Sequence, residues 1–106
     1  MKSLNETLKT LTTLEKAVLK EMSKSDFGTA WLTYYDEIDY NTTEFNKNQI
    51  SGILSSLSKK GLVTNYETRV NFDTIKGFML AYFPSKIFED VKDIYEFEEQ
   101  IRGVLI

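Results

Sequence analysis

Apolar residues recur along this chain with a period that changes from one segment to the next. Leu4, Leu8 and Leu11 stand at helical spacing and predict a short lead-in helix over the first 11 residues, packed on the body or on a second copy. Thr12 stands where an N-cap is needed, and Glu15 three positions later completes a capping-box signature. Leu14, Ala17, Val18 and Met22 then follow at i, i+3, i+4 and i+8. That spacing predicts an amphipathic helix over residues 13–24, with Lys16, Lys20 and Lys24 on its outer side. Ser25-Asp26-Phe27-Gly28 breaks it. From Thr29 to Ile38, the residues Ala30, Trp31, Leu32, Tyr34, Tyr35 and Ile38 predict a second helix, followed by a loop at Asn41-Thr42-Thr43.

The third helix is marked more sharply. Asn46 can cap it, Ile50, Ile53, Leu54 and Leu57 make its buried stripe, and Gly61 stops it after Lys59-Lys60. A short strand is predicted over Leu62–Glu67, a turn over Thr68–Asp73, and a returning strand over Ile75–Phe83 that Pro84 ends. Ser85 can cap a last helix on which Ile87, Val91, Ile94, Tyr95, Ile101 and Leu105 lie near one face.

Composition narrows the chemistry. At 106 residues, 42% hydrophobic and 27% charged, the chain suits one globular domain with one modest core. It divides into a lead-in (1–11), a core (12–83) and a C-terminal helix (85–106) that can serve dimerisation. There is no cysteine and no histidine, which excludes disulfides, thiolate or imidazole metal sites, and mechanisms with a Cys nucleophile or a His base. No apolar run approaches the roughly 18 residues of a membrane span, and the first residues lack a signal core. A cytoplasmic location without membrane contact, no cofactor and no catalytic role are the expectations.

The net charge of −3 is unevenly spread. Residues 26–45 carry Asp26, Asp36, Glu37, Asp39 and Glu44 and no basic group, whereas residues 46–76 carry Lys47, Lys59, Lys60, Arg69 and Lys76 against Glu67 and Asp73. The middle of the chain is its positive stretch, between acidic flanks.

The stretch Gln49-Ile50-Ser51-Gly52-Ile53-Leu54-Ser55-Ser56-Leu57-Ser58-Lys59-Lys60-Gly61-Leu62-Val63 resembles the recognition helix and first wing strand of MarR-like winged helix-turn-helix regulators. Leu11 to Leu19 resembles the helix that precedes that motif, so the likeness covers roughly residues 11–70. The resemblance implies an α+β fold of three helices, a two-stranded β-hairpin wing and a C-terminal helix. It implies transcription regulation by sequence-specific binding of double-stranded DNA, by a homodimer where the operator has two half-sites.

The residue chemistry fits that expectation. Small uncharged side chains let a helix lie close to the floor of the major groove. On the third helix (about 46–60), Asn48 or Gln49 can read adenine, and Ser51 and Ser55 can serve bases or phosphates. Lys47, Lys59 and Lys60 can meet phosphates, and Arg69 lies near the tip of the wing (about 63–83). The competing reading is a protein-interaction module on the same scaffold, whose acidic second and C-terminal helices bind a basic protein partner. Trp31, Tyr34 and Tyr35 are further candidates, for stacking on bases or lining a ligand site.

Overall fold

A computed structural model describes residues 3–25, 28–38, 45–82 and 88–106. Among the described residues the fold is mixed α+β, with four α-helices and one three-stranded antiparallel sheet. The helices are α1 (Leu4–Leu8), α2 (Thr13–Met22), α3 (Lys47–Lys59) and α4 (Ile94–Val104). The strands are β1 (Thr33–Tyr34), β2 (Val63–Val70) and β3 (Asp73–Leu80), in the order β1-β3-β2.

The capping chemistry read from the sequence is in place. The Thr12 hydroxyl accepts from the Glu15 N–H at 3.1 Å while the Glu15 carboxylate accepts from the Thr12 N–H at 2.9 Å. Asn46 and Gln49 repeat this reciprocal pair at the start of α3. Each box satisfies two backbone donors that the first turn would otherwise leave open. At the other end of α3, Gly61 takes φ +82, a left-handed conformation that costs glycine nothing sterically. The Gly61 N–H then donates to Ser58 and the Leu62 N–H to Leu57, closing the helix as a Schellman motif. Leu57 and Leu62, the pair whose apolar contact often accompanies this motif, are both fully buried in the core.

The segment from Thr29 to Ile38 departs from the predicted second helix. It forms a 3-10 turn (Gly28–Ala30), the strand β1 and a second 3-10 turn (Tyr35–Glu37). Trp31 has φ +53, which no helix accommodates, so the chain is turned between the apolar positions that mimicked a helical face. Thr33 and Tyr34 pair with Phe78 and Gly77 of β3, giving the expected hairpin a third strand. The hairpin itself is also longer and tighter than expected. β2 runs to Val70, the turn is only Asn71-Phe72, and β3 begins at Asp73 and ends at Leu80.

The C-terminal helix likewise differs. α4 starts at Ile94 behind an Asp93 cap, not behind Ser85. Residues 83–87, and with them the Phe83, Pro84, Ser85 and Ile87 readings, lie outside the described residues, as does the Asn41-Thr42-Thr43 loop. Tyr95 points outward, while Phe97, which the apolar stripe had left out, is fully buried. On α2, Leu14 is half-exposed and Leu19 takes its place inside.

The core is built around Trp31, Phe78 and Phe97, with buried aliphatic side chains from every helix, Met22 of α2 among them. α1 packs on this body: Leu4 and Leu8 are buried, and Asp90 from the far end of the chain accepts the Leu4 and Asn5 N–H groups at 2.7 and 3.1 Å. Trp31 links the loop before β1 to α4, donating from Nε1 to Glu98 at 3.3 Å under the Arg102 guanidinium, 5.0 Å from its ring.

Glu15 does more than cap. It is buried, and its carboxylate also accepts from Lys60 Nζ at 2.6 Å and Ser56 Oγ at 2.8 Å, joining α2 to the end of α3. Burial pushes its pKa up, but the Lys60 ammonium and the Thr12 and Ser56 donors outweigh that and hold it below the usual glutamate value. Asp90 is held down too, chiefly by the Leu4 N–H. A carboxylate whose folded pKa is depressed stabilises the fold above its unfolded pKa and loses that contribution as pH falls toward the folded value. Stability is therefore expected to be flat through neutrality and to fall from the ordinary carboxylate range, near 4.5 for Glu15, downward. Chemical denaturation across pH checks this; Glu15→Gln should flatten the acid limb, and an unchanged limb would place its cause elsewhere.

Candidate nucleic-acid interface

α3 buries Ile50, Leu54 and Leu57 and turns its opposite side to solvent, so burial of the stripe fixes what the other face displays. That outer face carries Asn48, Ser51, Gly52, Ser55, Ser58 and Lys59, all exposed. A Cβ at Gly52 would meet nothing within 4 Å, so the glycine leaves a flat spot in the middle of the face.

Beside this face the chain turns at Gly61 into β2, and two adjoining hollows lie between the helix and the sheet. The first, about 240 Å³, is lined by Tyr35, Ser51, Ser55, Ser58, Lys59 and Asn65 among others. The second, about 310 Å³, continues from Ser51 and Asn65 to Tyr66, Glu67 and Lys76. Hydroxyls and amides dominate the lining, with Lys59 at one end and Lys76 at the other. Lys76 lies 3.9 Å from Glu67, an exposed pair that screening leaves weak. Arg69 is exposed further along the same face of β2, because side chains two apart on a strand point the same way.

The eight residues singled out from the sequence divide on the structure. Lys47, Asn48, Ser51, Ser55 and Lys59 share the exposed surface of α3, and Arg69 is exposed on the hairpin. Gln49 is exposed, but its side-chain oxygen accepts the Asn46 N–H at 3.0 Å. Bidentate reading of adenine needs both ends of the amide, so Asn48 is the better placed of the two. Lys60 is not on this surface: its ammonium is held against α2 by Glu15 and by the Thr10 carbonyl at 2.9 Å. It is a structural cation.

Sequence reasoning singled out Tyr35 for stacking or ligand contact, and it lines both hollows, but it missed Asn65, Lys76 and Tyr66. The strand alternation of β2 was the available signal for Asn65; for the others it was the register that brings them beside α3. Tyr34 and Tyr66 approach with ring centroids 6.1 Å apart, across the glycine of β3. The Tyr34 hydroxyl is pushed above the usual tyrosine value by desolvation, with Tyr66 and Glu37 adding to it. Trp31 is fully buried and has no face to offer a base or ligand.

Of the acidic residues, Asp36 and Glu37 are exposed in the 3-10 turn after β1, and Glu37 accepts the Tyr34 N–H at 3.3 Å. Asp26, Asp39 and Glu44 lie outside the described residues. Among the described residues, no three acidic side chains gather as a metal site would require, and no helix is long and apolar enough to cross a membrane. Comparison with protein-family models, curated proteins and solved structures finds no match to this chain.

Proposed function

We propose that this chain is a winged helix-turn-helix regulator that binds duplex DNA, with α3 in the major groove and the β2–β3 hairpin against the backbone. The observation that carries the reading is the continuity of the small, uncharged outer face of α3 with the polar hollow between α3 and β2. Asn48, Gly52 and Ser55 let a helix approach base edges closely, while Lys59, Lys76 and Arg69 lie along the path a phosphate backbone would follow. The resemblance of residues 49–63 to MarR-like recognition helices supports the same reading.

The test is a salt-titrated binding assay on a randomised duplex pool. Lys59→Ala is expected to weaken binding evenly across sequences and to lower the slope of log affinity against log salt by about one. Asn48→Ala should instead relax preference at one base pair. Failure of the pool to bind at low salt, about 50 mM, would sink the proposal.

A further inference from the structure

We infer that this chain pairs with a second copy of itself through the outer edge of β2, antiparallel and centred on Thr68, so that Glu67 of each chain lies opposite Arg69 of the other. The inference does not rest on DNA binding, because the edge exists in the chain alone.

β2 ends the sheet: in the order β1-β3-β2 its outer side has no strand beside it among the described residues. It is eight residues long, pairs with β3 without a bulge, and contains neither proline nor lysine. Bulges, prolines and lysines are what ordinarily blunt an edge, and a strand without them is a template for another strand. The other open stretch, on β3 past the short β1, runs only from Asp73 to Lys76 and carries a lysine. The two-residue turn Asn71-Phe72 is closed by the Val70–Asp73 pair, which bonds inward. By alternation Thr68, Tyr66 and Thr64 also direct their backbone groups to β3, while Asn65, Glu67 and Arg69 direct theirs to the open edge.

The charges on this edge make it complementary to itself. In a twofold antiparallel pair, opposite residues share a face, so each symmetric register is centred on one residue. Centring on Glu67 or on Arg69 sets like charges against each other, which destabilises a pair. Centring on Tyr66 leaves Glu67 opposite Asn65 and Arg69 opposite Val63. Centring on Thr68 sets Glu67 against Arg69 twice on the α3 side, and Tyr66 against half-exposed Val70 twice on the other. Opposite charges, and an aromatic facing a β-branched residue, are favourable cross-strand pairs. In that register Glu67 and Arg69 also exchange both backbone hydrogen bonds, since both point theirs outward.

Such a pair uses up both β2 edges and closes on a dimer. Its twofold stands perpendicular to the sheet, so both copies of α3 lie on one side of a six-stranded sheet. On that side two Glu67 face two Arg69 and two Lys76, a positive excess, while Asp73 falls on the opposite face with Val70. A guanidinium has five donors, so an exposed carboxylate beside Arg69 leaves donors for a phosphate. Edge pairing and the surface proposed for DNA are therefore compatible.

The test uses sedimentation of the whole chain from micromolar to near-millimolar concentration, without nucleic acid. Wild type should pass from monomer to dimer. Glu67→Arg and Arg69→Glu should each weaken self-association by about tenfold or more, because each sets like charges across the axis. Both residues are exposed, so Tm should stay near that of wild type. Mixing the two variants should restore association, since the charges are again opposite at both positions. The chain has no cysteine, so Thr68→Cys reports on the axis. Its Cα atoms would stand about 4.5 Å apart at a non-hydrogen-bonded position, within disulfide reach. It should link under oxidising conditions, whereas Thr64→Cys, on the same face but four residues off the axis, should not. A wild type that stays monomeric throughout overturns the inference, as does a dimer that both charge reversals leave intact. So does a failure of the mixed variants to associate, or linkage of Thr64→Cys as readily as of Thr68→Cys.

Discussion

Gly77→Ala is expected to destabilise the fold by on the order of 3 kcal/mol and to detach β1 from the sheet. An added methyl at residue 77 would run into the Thr33 carbonyl oxygen and come within 3.0 Å of Tyr34 Cα and Cδ1. Those atoms belong to the neighbouring strand's backbone and to a ring held above it, so neither can swing aside as the end of a flexible side chain would. Tyr34 crosses the glycine to reach Tyr66, so the bare backbone of β3 is what lets the two rings meet. The loss is a large fraction of the ~5–15 kcal/mol that holds a domain of this size. Denaturant unfolding measures the loss, and amide exchange at Phe78 and Tyr34 shows whether β1 has come away. A loss below about 1 kcal/mol would mean that β1 adjusts to the methyl.

Trp31→Ala should cost about 3–5 kcal/mol, the range for emptying a large aromatic site in a core. Among the described residues, Trp31 is one of three large aromatics that are almost completely buried, and it joins the turn before β1 to Glu98 and Arg102 of α4. Removing the ring leaves a cavity and deprives Glu98 of one donor, although Arg102 still holds that carboxylate at 2.6 Å. Trp31→Phe keeps most of the apolar volume and loses the Nε1 donor, so it should cost about 1 kcal/mol with some added misfit. Trp31 is the chain's only tryptophan, so wild-type emission should be blue-shifted and should move to the red in one step on unfolding. Emission typical of a solvated indole in the native protein would contradict the burial on which the prediction rests.

The candidate site was legible where it depends on one helix and hidden where it depends on two elements. The apolar stripe Ile50, Leu54, Leu57 determines by itself that Asn48, Ser51, Ser55 and Lys59 face outward. The ion pair of Lys60 was not legible because a helix-end lysine has two destinations, solvent or a neighbouring helix, and only the docking of α2 on α3 puts Glu15 within 2.6 Å of it. Asn65 and Lys76 join the site through hairpin register. In a hairpin the turn fixes the register, and the sequence reading had spread that turn over Thr68–Asp73 when it is only Asn71-Phe72.

The same division runs through the fold. Local chemistry was enough for α2 and α3, because a cap, an apolar stripe and a terminating glycine act within a few residues of one another. Thr12 with Glu15, Asn46 with Gln49, and Gly61 are all of this kind. It was not enough for Thr29–Ile38. The six apolar residues there fit a helix as well as an irregular strand. What decides between them is a partner more than forty residues away, the edge of β3 opened by Gly77, together with the core space that holds Trp31 in a left-handed turn. Backbone hydrogen bonds inside a helix are settled by neighbours in the chain; those of an edge strand exist only once the rest of the molecule has brought an edge to it. The helix that presents the outer face of the site was thus determined by the sequence alone, while the hollow beside it was decided by the sheet.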